Sequence, residues 1–247
     1  MSTVMSRRLD ELTAAVENSV VFWTVLAESR SDLVSTAPGV RAFNGPYTCR
    51  VIIDDPDRAR AADVASIIEQ TSAPVTVEDA FGAVDLTMLG LVPRQLPVMV
   101  REPGAPAGAA IPPGVTIETV VADDALAIAD RVIVTGFPVE DFPVGRLLGP
   151  SLHHRAEVTL ARMSTDADAA ETVGACIRVP SARTDGIYWL TTLPHARSRG
   201  IGRALMNDAL QSATQPVSLT ASRPGRPLYE SLGFRTISQS NWWTRPT

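Results

Sequence analysis

The stretch of sequence that most restricts the fold runs from residue 187 to residue 210. An apolar strand leads to Pro194, a basic loop follows, and Gly200 and Gly202 stand one residue apart where a helix begins. The first turn of a helix offers unpaired N–H groups and the positive end of the helix dipole. A glycine there lets an anion approach the backbone closely. Three side chains add positive charge: Arg197, Arg199 and Arg203.

Three interpretations of this stretch compete. Its glycines can simply turn the chain into a helix. A dinucleotide-binding fold is the second interpretation, but Leu205 stands where the third glycine would be, and no acid follows at the distance that a ribose contact needs. The third is a cradle for the pyrophosphate of coenzyme A.

A second motif, at residues 222–234, bears on that choice. It places Tyr229 on a short helix that ends at Gly233, a residue type typical of the position after a helix C-terminus. The order Arg-x-x-Gly-x-Gly after a strand, then Leu-Tyr-x-x-Leu-Gly-Phe after a further strand, resembles the GNAT superfamily of N-acetyltransferases. The resemblance covers most of the second half of the chain and is much less specific over residues 115–192.

The resemblance implies a site for acetyl-CoA as co-substrate, and it implies which residues form it. Tyr229 matches the tyrosine that protonates the departing CoA thiolate. Thr191, Thr192 and Leu193 match the end of the strand that pairs with the pantetheine arm, and Ser222 matches a polar position that contacts CoA. The pyrophosphate loop corresponds to six consecutive residues and the next one: Arg197, Ser198, Arg199, Gly200, Ile201, Gly202 and Arg203.

The activity expected from the resemblance is acetyl transfer to a primary amine by direct attack in a ternary complex. The acceptor is a small molecule or a peptide. An acyl-CoA-binding module without catalysis, and a transferase for a longer acyl group, stay open as alternatives. The strand at residues 187–193 lacks the carboxylate that serves many relatives as general base. Candidates elsewhere are Glu140, Asp141, Glu157 and His154, with Asp185 just before the strand, and a water chain is equally open.

Composition limits the other possibilities. The net charge of −5 argues against a nucleic-acid partner. The chain has no lysine, so Schiff-base and Walker-type lysine chemistry are excluded. Cys49 and Cys176 form no metal-ligand spacing, and we expect Cys176 to be a small core residue rather than a nucleophile and the protein to hold no metal. We expect no membrane span, no signal peptide, a cytoplasmic location, and a monomer or homodimer.

The chain divides at a segment rich in proline and glycine, residues 102–113, which we interpret as a linker. The order of predicted elements indicates a mixed α/β sheet, a GNAT-like fold, with a catalytic domain at residues 114–247. Residues 1–101 echo it weakly: residues 74–99 parallel residues 216–234 and the strand after them, with Leu86 in the place of Tyr229. We therefore expect a tandem protein whose first half is a degenerate GNAT-like copy without a phosphate cradle.

Several local predictions can be checked against a structure. Asp55 and Pro56 predict a helix that starts there and runs to about residue 70. A short helix is expected over residues 79–89. Asp123 or Asp124 is expected to cap a helix that ends near residue 134. A helix is expected over residues 201–213, after the glycine pair.

Overall fold

A computed structural model describes residues 2–104, 106, 110–137, 142–164 and 170–246, with side chains from Met5 onward. The chain forms two compact units. Unit 1 comprises Met1–Arg101 and Ser218–Thr247, and unit 2 comprises Glu102–Val217. The expected linker begins where unit 1 first ends, and its described residues lie in neither helix nor strand. Its residues 105 and 107–109 lie outside the described part.

Unit 1 combines a mostly antiparallel sheet with helices. Its strand order is β1-β2-β3-β4-β11-β5, followed by residues 218–220 of β10. Only β3 and β4 run parallel among the pairs within β1–β5 and β11, and α2 connects them. Its elements are α1 Ser2–Arg30, β1 Leu33–Ala37, β2 Val40–Asn44, β3 Cys49–Ile53, α2 Ala61–Glu69, β4 Val75–Asp79, β5 Val92–Arg101, β10 Val217–Thr220, α5 Arg226–Ser231 and β11 Arg235–Thr244.

The last strands of the two sequence halves are exchanged within unit 1. β11, which ends the second half, lies between β4 and β5 of the first half and is antiparallel to both. β5, which ends the first half, in turn lies beside the part of β10 in unit 1, where the Ala221 N–H donates to the Pro97 carbonyl over 2.9 Å. Each half therefore contributes its final strand to the neighbourhood of the other half's preceding strand.

A largely buried ion pair lies on one face of the unit 1 sheet. Arg50 Nη1 of β3 is 3.0 Å from Glu78 Oε1 of β4, and both side chains are 12% exposed. The Arg50 guanidinium carbon lies 4.5 Å from the ring centre of Trp23 and 4.8 Å from that of Trp242. Burial lowers the pKa of Arg50 and raises the pKa of Glu78, and the opposite charge of each partner counteracts the shift.

Unit 2 is built on four antiparallel strands in the order β9-β8-β7-β6. The chain enters through β6, and α3 connects it to β7. α4 follows β9, and its apolar side supplies buried residues to the core, among them Ile201, Leu205 and Leu210. The elements are β6 Val115–Thr119, α3 Asp123–Gly136, β7 Glu157–Ser164, β8 Ala170–Pro180, β9 Asp185–Thr192 and α4 Ile201–Ser212.

Three local predictions were wrong for identifiable reasons. The helix expected at Asp55 starts only at Ala61, because the Asp55 carboxylate accepts the Asp57 N–H and forms a separate turn. Over residues 79–89 only Thr87–Leu89 form a single 3₁₀ turn, because the buried Asp79 carboxylate holds residues 81–84 as a loop through the Phe81 and Val84 N–H groups.

The expected cap of α3 was the third error. Ala122 occupies the N-cap, and Asp123 and Asp124 lie in the first turn. The Asp123 carboxylate instead accepts the Ser151 N–H over 2.8 Å. The helix expected at residues 201–213 is α4, Ile201–Ser212. Among the helices that the structure describes, none has a long enough apolar stretch to cross a lipid bilayer.

Candidate functional site

The strand that leads to the basic loop is interrupted by a β-bulge. The β8–β9 register pairs Ile177 with Tyr188 and Ala175 with Thr191, so two residues of β9 lie opposite one of β8. Trp189, inside the bulge, has a left-handed backbone with φ of 47°. A bulge bends its strand and leaves backbone groups outside the regular ladder. Such a site suits an extended ligand that pairs with the strand's backbone.

This bulge is followed by the three residues that we expect to pair with the pantetheine arm: Thr191, Thr192 and Leu193. The Thr191 side chain is buried, and its hydroxyl donates to the Trp189 carbonyl over 2.8 Å. Thr192 pairs with Gly174 of β8. The Leu193 N–H donates to the Val173 carbonyl, and the Leu193 carbonyl accepts the Ala196 N–H. The side chain of Thr191 and the backbone of Leu193 are therefore already engaged within unit 2.

The basic loop ends in a helix start that suits an anion. Gly200 is the N-cap of α4 with φ of 81°, and Ser198 is also left-handed at 62°. Residues 197–200 are exposed, and the first turn of α4 contains no acidic residue. The helical ladder begins with the Ala204 N–H, which donates to the Gly200 carbonyl, so the N–H groups before it have no acceptor inside the helix. A 12-residue helix thus presents its positive end in a basic, exposed loop.

At positions 200 and 174, neighbouring atoms lie so close to the backbone that a residue with a Cβ atom would clash with them. A Cβ at Gly200 would lie 2.9 Å from Pro112 Cγ, in addition to the strain of a side chain at positive φ. A Cβ at Gly174 would lie 2.9 Å from Ile201 Cγ2 and 3.0 Å from Leu205 Cδ1. Gly174 therefore lets the first turn of α4 pack directly on the sheet. Glycine inside an apolar strand was the available signal for this packing.

The three arginines of the loop differ in what they contact. Arg197 Nε donates to the Thr192 carbonyl over 3.2 Å, and Arg197 Nη2 donates to the Gly136 carbonyl over 3.1 Å. Arg199 Nη1 lies 3.8 Å from Met163 Sδ. Arg203 lies on the exposed side of the first turn of α4. The Gly136 contact could not be read from the sequence, because the partners are far apart along the chain.

Tyr229 and Ser222 belong to unit 1. Tyr229 lies on α5 with only 8% of its surface exposed, and its ring meets Phe234 edge-on at 5.9 Å between centroids. A Cβ at Gly225 would lie 2.9 Å from Tyr229 Cε2 and 3.3 Å from its hydroxyl oxygen. Ser222 Oγ accepts the Gly225 N–H over 3.3 Å and so shapes the turn before α5. The phenol is thus held in a defined position by α5 and its turn.

Two candidates for the general base, Glu157 and Asp185, form ion pairs with Arg178. Arg178 of β8 contacts Glu157 Oε2 at 2.5 Å and Asp185 Oδ2 at 2.8 Å. Burial opposes a charged guanidinium, but hydrogen bonds and charge from both carboxylates raise the pKa of Arg178. Burial raises the pKa of Asp185, although Arg178 opposes that shift. In this structure both Glu157 and Asp185 are therefore ion-pair partners of Arg178.

The remaining candidates for the general base are His154, Glu140 and Asp141. His154 is exposed, and its ring centre lies 4.1 Å from that of His153. His153 Nδ1 is 3.4 Å from Asp123 Oδ1. Glu140 and Asp141 lie outside the described residues. Cys176 is fully buried, and burial, reinforced by Asp208 and Glu157, raises the pKa of its thiol to about 12, so it cannot act as a nucleophile near neutral pH. No group of three His, Cys, Asp or Glu side chains in the described ranges is arranged to hold a metal ion.

Comparison with known protein families finds a match within the second half of the chain. Residues 152–242 match the acetyltransferase (GNAT) domain family. This match includes both motifs noted in the sequence, and it confirms the predicted family. The chain therefore carries a GNAT acetyltransferase domain, and it is an acyltransferase. No sequence among the curated proteins matches the chain.

Solved structures extend the likeness of fold to the whole chain. A GCN5-related N-acetyltransferase from Kribbella flavida has a TM-score of 0.64 at 16% identity, over 93% of this chain and 95% of that one. Another from Sphaerobacter thermophilus has a TM-score of 0.56 at 20% identity, over 84% and 78% of the two chains. A tandem GNAT protein from the clavulanic acid biosynthesis pathway has a TM-score of 0.53 at 15% identity, over 83% and 77%. The predicted mixed α/β, GNAT-like fold is confirmed.

Proposed function

We propose that this chain transfers the acetyl group of acetyl-CoA to a primary amine of a small molecule or peptide. The observation that carries the proposal is the bulged strand β9 followed by the basic, glycine-containing start of α4. An acyl-CoA co-substrate has two parts that this arrangement suits. Its extended pantetheine arm can pair with a strand interrupted at Trp189, and its pyrophosphate is an anion that suits the exposed loop of residues 197–200 and the start of α4 that follows it.

The reaction balances with one proton donor and one proton acceptor. The amine nitrogen attacks the thioester carbon and forms a tetrahedral oxyanion. Collapse of that oxyanion breaks the C–S bond and leaves an amide. We assign to Tyr229 the proton that the leaving thiolate receives, and its phenol is held in place by α5. The proton released by the amine passes to water or to a base, and the pairing of Glu157 and Asp185 with Arg178 argues against both as that base.

The proposal is tested by following free thiol with Ellman's reagent over a panel of amines and short peptides. We expect thiol release that depends on the amine and one acetyl-CoA site per chain by calorimetry. We further expect Tyr229→Phe to lower kcat about a hundredfold near neutral pH. That deficit should shrink above about pH 8.5, where a thiolate leaves without a proton. Unchanged turnover in Tyr229→Phe would remove the phenol from the mechanism.

A matched control removes a hydroxyl elsewhere. Tyr47 lies in the hairpin between β2 and β3, and we expect Tyr47→Phe to leave kcat and its pH dependence unchanged. A fall of similar size in both variants would indicate a general effect on stability rather than loss of a proton donor.

A second candidate function is favoured by a specific observation. β9 carries no carboxylate other than Asp185, and that residue is paired with Arg178. An acyl-CoA-binding module without catalysis would share this feature. It would bind acetyl-CoA tightly and release no thiol with any amine, whereas a transferase for a longer acyl group would turn over only with longer acyl-CoA substrates.

A further inference from the structure

Arg197 is the first arginine of the loop, and its side chain contacts two backbone carbonyls that lie outside α4. Its two donated hydrogen bonds end on backbone carbonyls, that of Thr192 at the end of β9 and that of Gly136 at the end of α3. The guanidinium therefore bridges a strand and a helix that are far apart in sequence. A planar fork with several donors is suited to such a bridge.

The contact between Arg197 and Gly136 is made at the C-terminal end of α3, where a positive charge is stabilising. The last carbonyls of a helix have no intrahelical partner and carry the negative end of its dipole. The last turn of α3 contains no basic residue of its own. Arg197 thus brings a positive charge from another part of the chain to a helix end whose last turn has no basic residue.

The same end of α3 lies directly against the strand. A Cβ at Gly136 would lie 2.7 Å from Thr191 Cγ2 and 3.3 Å from Leu193 Cδ2. The residue after it continues the helical pairing, because the Phe137 N–H donates to the Ile133 carbonyl over 2.8 Å. The position of Thr191 and Leu193 therefore depends on how closely the end of α3 is held.

We propose that Arg197 is a positioning residue that ties the end of α3 to the end of β9, and that its side chain is not a phosphate ligand. The phosphate is then bound by the start of α4 and by Arg199, whose Nη1 lies 3.8 Å from the Met163 thioether and has no other polar contact among the described residues. This inference rests on the proposed function for its kinetic consequence. Its structural consequence, a stabilised end of α3, does not depend on turnover.

Three variants separate a bridge from a phosphate ligand. Arg197→Ala removes both charge and donors, Arg197→Gln keeps N–H donors without charge, and Arg199→Ala is the matched loss of charge in the same loop. Acetyl-CoA affinity is measured by calorimetry at low and high salt. Hydrogen exchange of residues 133–137 is measured on the ligand-free protein, and kcat and KM are measured for any amine that turns over.

We expect Arg199→Ala to weaken acetyl-CoA binding about tenfold and to flatten its salt dependence, because a charge-assisted contact is lost. Arg197→Ala should keep the affinity within about threefold and keep the salt dependence, but exchange at residues 133–137 should accelerate at least about tenfold. Its kcat should fall more than the KM for acetyl-CoA changes. Arg197→Gln should restore much of the protection.

The inference is overturned if Arg197→Ala loses affinity and salt dependence as Arg199→Ala does while exchange at residues 133–137 is unchanged. It is also overturned if Arg197→Gln behaves as Arg197→Ala in every measurement. If the wild-type protein binds no acetyl-CoA, the proposed function fails, but the exchange comparison still decides the role of Arg197. If Arg197→Ala does not fold, the affinity and salt dependence of Arg197→Gln carry the test, because both stay near the wild-type values for a bridge and both fall for a phosphate ligand.

Discussion

Each unit contains a strand that leads through a charged loop into a helix, and the two loops differ in net charge. In unit 1, β3 leads into α2 through a loop with Asp54, Asp55 and Asp57 and also with two arginines, at positions 58 and 60. In unit 2, β9 leads through a loop with Arg197 and Arg199 into α4. With three Asp and two Arg the first loop has a net charge of −1, and with two Arg and no acid the second has a net charge of +2. The second loop therefore suits an anion better. Similar topology therefore does not give the two units the same ligand.

The backbone differs as much as the charge. β2 and β3 pair in one continuous register, whereas β8 and β9 contain a bulge. α2 follows Arg60, whose backbone is extended, whereas α4 follows the left-handed Gly200. In unit 1 the loop also satisfies itself, because the Asp55 carbonyl accepts the Arg58 and Ala59 N–H groups. The stretch from β3 to α2 thus lacks the bulge and the glycine N-cap that are found between β9 and α4.

The largest effect that we predict concerns the ion pair between Arg50 of β3 and Glu78 of β4 in unit 1. Arg50→Met should destabilise the protein by about 3–5 kcal/mol, because it leaves Glu78 buried without its partner. Urea unfolding followed by circular dichroism measures this change. Burial raises the pKa of Glu78, so the cost of its charge appears as pH rises through that raised pKa. The deficit of Arg50→Met should therefore be smallest in acid and grow toward neutral pH.

The double variant Arg50→Met, Glu78→Leu sharpens this prediction. Removing both charges should recover most of the lost stability, because apolar side chains can replace a buried ion pair at little cost. If Arg50→Met unfolds at the wild-type urea concentration, the ion pair is not a structural requirement of unit 1. A ligand role for Arg50 would then have to be considered.

The second prediction tests whether the helix start in unit 2 is the anion site. Gly200→Val should weaken acetyl-CoA binding at least about tenfold, because its side chain would occupy the N-cap of α4, where we propose that the anion approaches the backbone. The β-branched residue at φ of 81° would also cost about 1–3 kcal/mol of backbone strain. Its side chain would also meet Pro112, whose Cγ lies 2.9 Å from the added Cβ position. Calorimetric titration with acetyl-CoA measures the effect.

Unit 1 offers a matched control for this variant. Gly90 has a similar φ of 72°, and a Cβ there would meet no atom within 4 Å. Gly90→Val should therefore carry a comparable backbone strain but leave acetyl-CoA affinity unchanged. Equal losses of affinity in both variants would show that reduced stability, rather than the loop of unit 2, controls binding.

The sequence predicted unit 2's loop and helix well because local chemistry determines them. Gly200, the arginines and the apolar face of α4 lie within one short stretch, and α4 begins at the expected residue. Asp55 misled the prediction of α2, because an aspartate followed by a proline is compatible with either a helix start or an isolated turn. The strand β1 was missed, since its residues are mostly exposed and show no alternation.

Features that depend on distant partners were beyond the sequence. The bulge at Trp189 arises from the register of β8 and β9, and the contact of Arg197 with Gly136 joins a loop to the end of α3. The exchange of β5 and β11 in unit 1 is likewise a matter of which strands become neighbours. Hydrophobic pattern specifies that these segments are strands, but it does not specify the order in which they pair.

The smallest effect that we predict concerns the reactivity of the cysteine thiols, which should be similar in the two units. Each has a single cysteine in its core, and burial raises the thiol pKa to about 11 for Cys49 and to about 12 for Cys176. With those pKa values the thiolate fraction is still about 1% or less at pH 9, so the reaction with Ellman's reagent should stay slow both at pH 7 and at pH 9. We expect no fast-reacting thiol in the native protein and two after denaturation. One fast-reacting equivalent in the native state would show that one core opens more readily than the other, and peptide mapping of the labelled cysteine would identify which unit it is.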